Sequence, residues 1–335
     1  MGELNDAIDR VATETGFSGV VRVDRAGEIE FVAAYGLANR AHGVANTIDT
    51  QLAIASGTKG LTALVVVSLI EEGVLEPSTT ARSLLGDDLP LIADDVTVSH
   101  LLAHRSGIGD YLDEADERPI SAHVLSVPVH ELDATERYLS VLDGYPHTFA
   151  AGERFGYCNG GYVVLAILAE RASGARFPEL IDQRVCKPAG MTGTGFLRSD
   201  ELPGRAAVGY LSSDATSRTN VLHLPVQGSG DGGLYSTAAD IAAFWGALFA
   251  GRIVSPAGVA GMVAPHSDAA DGSMRYGLGF WLHASRAVVL LEGYDAGVSF
   301  RTAHDPGASV TYIVLANTSE GAWPLVRMLD EHLIG

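Results

Sequence analysis

The sequence predicts a mixed α/β fold of the α+β kind, in which an antiparallel sheet assembled from both termini and flanked by helices carries an inserted helical lobe. Three observations lead there. Strand-like alternation occurs near the amino terminus and again after residue 276; helical periodicity fills the stretch between; and no internal repeat, low-complexity tract or flexible linker divides the 335 residues. The expected organisation is one domain over 1–335, with an α/β lobe at about 1–58 and 271–335, a helical lobe at about 59–270, and the ligand cleft between them.

Residues 3–15 have the polar amphipathic pattern of a surface helix. The following FSGVVRVDRAGEIEFVAAYG alternates as two strands joined at Arg25-Ala26-Gly27. From about 56 to 75 the pattern is helical and apolar on every side, which predicts a buried helix starting at Ser56 and ending near Gly73. From 76 to about 270 short helices such as ERYLSVLDGY, YVVLAILAERASG and TAADIAAFWGALFAG alternate with loops rich in Gly, Pro and Asp. After 276, YGLGFWLHA, AVVLLEGY, GVSFRTAHDPG and ASVTYIVLANT read as consecutive strands, and AWPLVRMLDEHLIG closes the chain as a helix.

Composition narrows the function classes. With 47% hydrophobic and 19% charged residues and a mean hydropathy of +0.18, the chain has the make-up of an ordered globular protein. A formal net charge of −19 argues against nucleic acids and anionic membranes as partners, since both select a basic surface. Cys158 and Cys186 are too few for a disulfide framework and lack metal-ligand spacing, so a reduced pair is expected. The amino terminus shows neither a basic start nor an apolar signal core, and LTALVVVSLI falls short of a membrane span, so a cytoplasmic location is expected unless a leader was trimmed.

The chemistry begins at Ser56-Gly57-Thr58-Lys59. Three-residue spacing places the Ser56 hydroxyl and the Lys59 amine on one helix face. A lysine held among apolar neighbours loses charge stabilisation, which lowers its pKa from a reference of about 10.4 and makes it a candidate base. About a hundred residues later, Tyr157-Cys158-Asn159 precedes another apolar helix. A phenol and a carboxamide two residues apart can enter one cleft, the first to relay protons and the second to donate to a substrate carbonyl or to steady Lys59.

With these motifs, the stretches from His100 to Ile108, Pro188 to Met191 and Gly232 to Thr237 stand in the order found in the serine β-lactamase-related, penicillin-binding-protein-like family. The chain resembles that family over most of its length; it includes class C β-lactamases, D-alanyl-D-alanine carboxypeptidases, D-aminopeptidases and family VIII esterases. The resemblance implies the β-lactamase/transpeptidase-like fold and no cofactor or metal. It also implies that Ser56 attacks a carbonyl to give an acyl-enzyme, that Lys59 and Tyr157 share proton transfer, and that the Ser56 N–H forms half of an oxyanion hole.

The third motif departs from the family. Where the family has Lys-Thr-Gly or His-x-Gly, the best match is Gly293-Tyr294-Asp295-Ala296-Gly297-Val298, with Tyr294 in the place of the cation and Gly297 as the expected second oxyanion donor. Without a charged donor to a substrate carboxylate, worth about 1.5–3 kcal/mol, small neutral esters or amides become the expected substrates. The leading reading is therefore an esterase-like serine hydrolase. Its alternatives are a D-amino-acid peptidase or β-lactamase, with Arg301 or Arg105 supplying charge, and a catalytically weak member that binds a small molecule. The remaining residues carry plainer expectations. His100 and His104 lack a third metal ligand, His147 belongs to a surface loop, and Cys158 and Cys186 pack. Asp231 caps or solvates a turn, and Tyr162, Tyr235, Tyr276, Phe280 and Trp281 form core or an aromatic wall. The acidic segment 111–120 is expected as a surface excursion over the cleft.

Overall fold

The computed structural model describes residues 2–112, 118–213, 218–269 and 272–335. Helix α1 (Gly2–Thr15) leads into the hairpin β1 (Gly19–Arg25) and β2 (Glu28–Tyr35), whose turn places Ala26 and Gly27 at positive φ. The carboxy-terminal strands are β3 (Ser267–Asp268), β4 (Met274–Tyr276), β5 (Trp281–His283), β6 (Val289–Asp295), β7 (Val298–Asp305) and β8 (Val310–Ala316). They join the hairpin in one antiparallel sheet of order β2-β1-β8-β7-β6-β5-β4-β3. Seven consecutive residue pairs, Gly19↔Ala316 to Arg25↔Val310, close the two ends of the chain on each other.

The central strands are covered on both faces, and period-two alternation assigns each residue its layer. Val21, Val23, Tyr312 and Val314 pack with Ile8 and Ala12 of α1 and with Leu325 and Leu329 of the terminal helix Trp323–Leu329. Val20, Ile313 and Leu315 face the other way, into the larger core. There lie α2 (Thr58–Glu71) and α3 (Asn159–Ser173), apolar on nearly all sides and accordingly buried.

Two features of the middle segment differ from the sequence pattern. Helix α4 (Ala238–Phe249), expected with the helical lobe, lies against the main sheet, and Trp245 Nε1 donates to Thr302 Oγ1 at 2.9 Å. Leu52–Ala53, Gly195–Phe196 and Leu234–Ser236 form a small separate sheet, strands too short to leave a periodic signal. Among the described residues no helix is long and apolar enough to cross a membrane.

Candidate active site

Ser56 does not begin the α-helix. It occupies a 3-10 turn, Ala55–Gly57, that leads into α2, and the residue before it, Ala55, has φ +42°. Non-glycine residues reach this left-handed region at a cost of order 1–3 kcal/mol, a strain that clusters at functional sites. Two glycines let the turn press onto the sheet. A Cβ at Gly57 would lie 2.4 Å from Phe300 Cε1, and one at Gly60 would lie 2.5 Å from Leu291 Cδ2.

Lys59 is 2% exposed. Its Nζ lies 2.8 Å from Ser56 Oγ, from Asn159 Oδ1 and from the carbonyl oxygen of Asp231. The same nitrogen lies 5.0 Å from the centre of the Tyr157 ring. The structure thus brings Ser56, Lys59, Tyr157 and Asn159 together from two separate stretches of chain, and Ser56, Tyr157 and Asn159 line one cavity of about 640 Å³.

Asn159 is held at the first turn of α3. Its Nδ2 donates to the Leu112 carbonyl at 2.9 Å. Its backbone N–H and that of Gly160 donate to the Asp110 carboxylate at 2.5 and 2.9 Å, so an acid caps the helix whose first residue steadies Lys59. Burial pushes the Asp110 carboxyl up to about 6 in spite of these bonds. Tyr157 is clamped between two rings, parallel to Trp281 at 5.9 Å and against His104 at 4.3 Å. The His104 imidazole is buried, its Nδ1 accepts the Cys158 N–H at 3.1 Å, and burial together with the Lys59 charge drives its pKa well below the ordinary value. It is therefore neutral.

The third-motif expectations need correction. Ala296 and Gly297 form the turn between β6 and β7, and the Gly297 N–H donates to Ser319 Oγ at 2.8 Å, outside the cavity lining. Gly297 is not placed as an oxyanion donor. Because Asp295↔Val298 flank a two-residue turn, Gly293↔Phe300 is again a hydrogen-bonded pair, and Tyr294 turns its backbone N–H away from β7. That edge faces the serine turn, for β5 pairs only with Val289 and Leu290, and a Cβ at Gly293 would sit 2.9 Å from Ser56 N. The Tyr294 side chain lines the cavity, but its hydroxyl donates to Glu320 Oε1 at 2.7 Å.

Neither arginine supplies the missing charge. Arg301 is paired with Glu292 at 3.3 Å and with Asp330 at 3.5 Å, and Arg105 holds the carbonyls of Gly152 and His266. Asp231 does more than cap a turn: it is buried, its carbonyl receives Lys59, and its carboxylate receives the Tyr111 hydroxyl. Other plain expectations agree with the geometry. His100 closes a capping box with Thr97, and His147 Nε2 accepts the Ala93 N–H. Cys158 and Cys186 are buried, with thiols pushed up by burial. Of the aromatic set, Trp281 lines the cavity and Tyr235 an adjoining one, while Tyr162, Tyr276 and Phe280 are core. Residues 113–117 of the acidic segment lie outside the described residues.

Asp110, Glu292 and Glu320 escaped the sequence reading, and Tyr111 and Asp295 had no role in it. Asp110-Tyr111 lies one residue beyond the His100–Ile108 landmark, a position that could have flagged it; Glu292 and Glu320 have no local signal.

Fold and site together have the form of the β-lactamase-like serine hydrolase class. The family model described as Beta-lactamase matches residues 4–333, and the chain belongs to that family. It is 30% identical over 280 residues to the putative penicillin-binding protein PbpX of Bacillus subtilis (strain 168), covering 84% of this chain and 66% of that one. With the esterase EstB of Burkholderia gladioli it shares 33% identity over 214 residues, 62% of this chain and 54% of the esterase. The chain therefore spans about half to two-thirds of these relatives. The crystal structure of a penicillin-binding protein from Bacillus halodurans superposes with a TM-score of 0.91 at 32% identity, covering 97% of this chain and 100% of that one.

Proposed function

We propose that the chain hydrolyses small esters or amides through an acyl-enzyme on Ser56, in an esterase-like reaction. The observation that carries this reading is the buried Lys59 Nζ at 2.8 Å from Ser56 Oγ. Asn159 Oδ1 and the Asp231 carbonyl accept hydrogen bonds and cannot donate them. A neutral Lys59 amine that gives its two N–H bonds to these oxygens has its lone pair directed at the Ser56 O–H.

Ser56 Oγ then attacks the substrate carbonyl carbon while its proton passes to Lys59. The tetrahedral oxyanion lies between the Ser56 and Tyr294 backbone N–H groups, donors worth about 3–4 kcal/mol each where one has been removed from other enzymes. The carbon–leaving-group bond breaks, and the leaving oxygen or nitrogen takes the proton through Lys59 or the Tyr157 hydroxyl. Water adds to the acyl-enzyme in the reverse sense, which releases the acid and restores the serine. The esterase name of EstB favours ester substrates.

Purified protein incubated with p-nitrophenyl butyrate should release nitrophenol and gain the butyryl mass, and Ser56→Ala should do neither. Turnover that survives Ser56→Ala overturns the assignment of the nucleophile.

A further inference from the structure

His104 belongs to the His100–Ile108 landmark and has no part in the proton transfers assigned above. It is 1% exposed and stands at φ +53°, a left-handed backbone that a non-glycine residue adopts only at a steric cost. Such a conformation persists where the surrounding packing enforces it. Here it directs the carbonyl and the ring of one residue at the same segment, the stretch that carries Tyr157.

Three contacts result. The His104 carbonyl oxygen accepts the Gly156 N–H at 2.8 Å, one residue before Tyr157. Its Nδ1 accepts the Cys158 N–H at 3.1 Å, one residue after. Its imidazole lies against the Tyr157 ring itself, with 4.3 Å between the ring centres. The next N–H, that of Asn159, is held by Asp110, so the two ends of the motif have separate anchors and His104 serves the tyrosine end.

The grip needs a neutral imidazole. Nδ1 accepts only through a free lone pair, so the ring proton sits on Nε2, which has no hydrogen-bond partner among the described residues. The Tyr162 and Tyr276 rings, centred 4.9 and 4.7 Å away, complete the enclosure. Burial and the nearby Lys59 ammonium both oppose a second positive charge there.

We propose that His104 is a positioning residue for the reaction, fixing the backbone on both sides of Tyr157 and the face of its ring so that the phenol keeps one orientation during proton transfer. This rests on the reading of Ser56 as the nucleophile and of Tyr157 as a proton carrier. A phenol released from this grip spends part of its time turned away from the reacting groups. That lowers kcat and leaves substrate binding to the rest of the cleft.

The test uses p-nitrophenyl butyrate with His104→Phe and His104→Asn, each alone and combined with Tyr157→Phe. His104→Phe keeps a flat ring but offers no acceptor to Cys158; it should lower kcat by about tenfold or more, with KM within about threefold. His104→Asn tolerates the left-handed backbone and places an oxygen acceptor near the Nδ1 position, so it should fold and recover most of that loss. In Tyr157→Phe, whose slower acylation is followed by intact mass, His104→Phe should cost no more than about twofold, because the residue through which it acts is gone. Melting curves report folding. Should His104→Phe not fold, the same comparison is made with His104→Asn, whose lost ring contact should cost about two- to fivefold in the wild type and nothing in Tyr157→Phe. Losses that multiply in the double variants, an unchanged kcat in folded His104→Phe, or a KM that rises as much as kcat falls overturns the positioning role while leaving Ser56 assigned. Full activity of Tyr157→Phe instead overturns the tyrosine as a proton carrier, and acylation that survives Ser56→Ala overturns the nucleophile.

Discussion

Lys59 shows how a single side chain acquires a function from its partners. Three oxygens surround its Nζ at 2.8 Å, and two of them, Asn159 Oδ1 and the Asp231 carbonyl oxygen, only accept. Changing one acceptor should therefore act through the lysine. Asn159→Leu removes the Oδ1 acceptor and should lower kcat for the butyrate ester by about 10²-fold, the scale of general acid–base effects, with a smaller change in KM. Asn159→Asp puts a negative charge beside the amine, favours its protonated form and should move the acid limb of the kcat–pH profile upward by about one unit or more. A limb that stays in place in Asn159→Asp would show that Lys59 does not titrate in the reaction.

At the scale of elements, the proposed catalysis depends on how closely the serine turn approaches β6. A Cβ added at Gly293 would lie 2.1 Å from the Ile54 carbonyl oxygen, a backbone atom that cannot swing away. Gly293→Ala must separate turn from strand, and with them the two N–H groups assigned to the oxyanion. It should cost about 1–3 kcal/mol of stability and at least tenfold in kcat. Gly246→Ala in α4 is the matched control, since a Cβ there meets nothing within 4 Å. It should stabilise by about 0.5–1 kcal/mol through helix propensity. Thermal melts together with ester turnover separate the two outcomes.

For the whole molecule, acidity and burial act in the same direction. The chain carries a formal net charge of −19, and burial raises the carboxyls of Asp110 to about 6, Asp231, and Asp295 to about 7. For an acid with a raised folded pKa, the native state holds a proton that the unfolded chain releases, so unfolding gains as pH rises between the two values. Stability should therefore fall from about pH 4 to pH 7, with self-repulsion adding to the trend. Asp295→Asn removes one of these groups and should raise the melting temperature at pH 8 by a few degrees, with a smaller gain at pH 5. Melting curves across that range check the sign; a melting temperature that climbs with pH in the wild type contradicts the burial of these acids.

What could be read along the chain was whatever depends on nearest neighbours. The Ala26-Gly27 hairpin, the apolar helix after Ser56, the three long terminal strands and the Ser56–Lys59 spacing all follow from local periodicity, turn chemistry and helical geometry, whereas YGLGFWLHA, expected as one strand, is broken after Tyr276. The motif order was enough to place the chain in its family. Only the folded molecule decided the rest, because the relevant partners are far apart in sequence. Lys59 meets Asn159 and Asp231 across about a hundred and a hundred and seventy residues. The Gly297 N–H is taken by Ser319, which no spacing rule links to it, and ladder register then leaves the Tyr294 N–H facing the serine. The absence of a cation at the third motif was visible as Tyr294; the carboxylates that make the cleft acidic come from separate segments, and only tertiary packing brings their charges together.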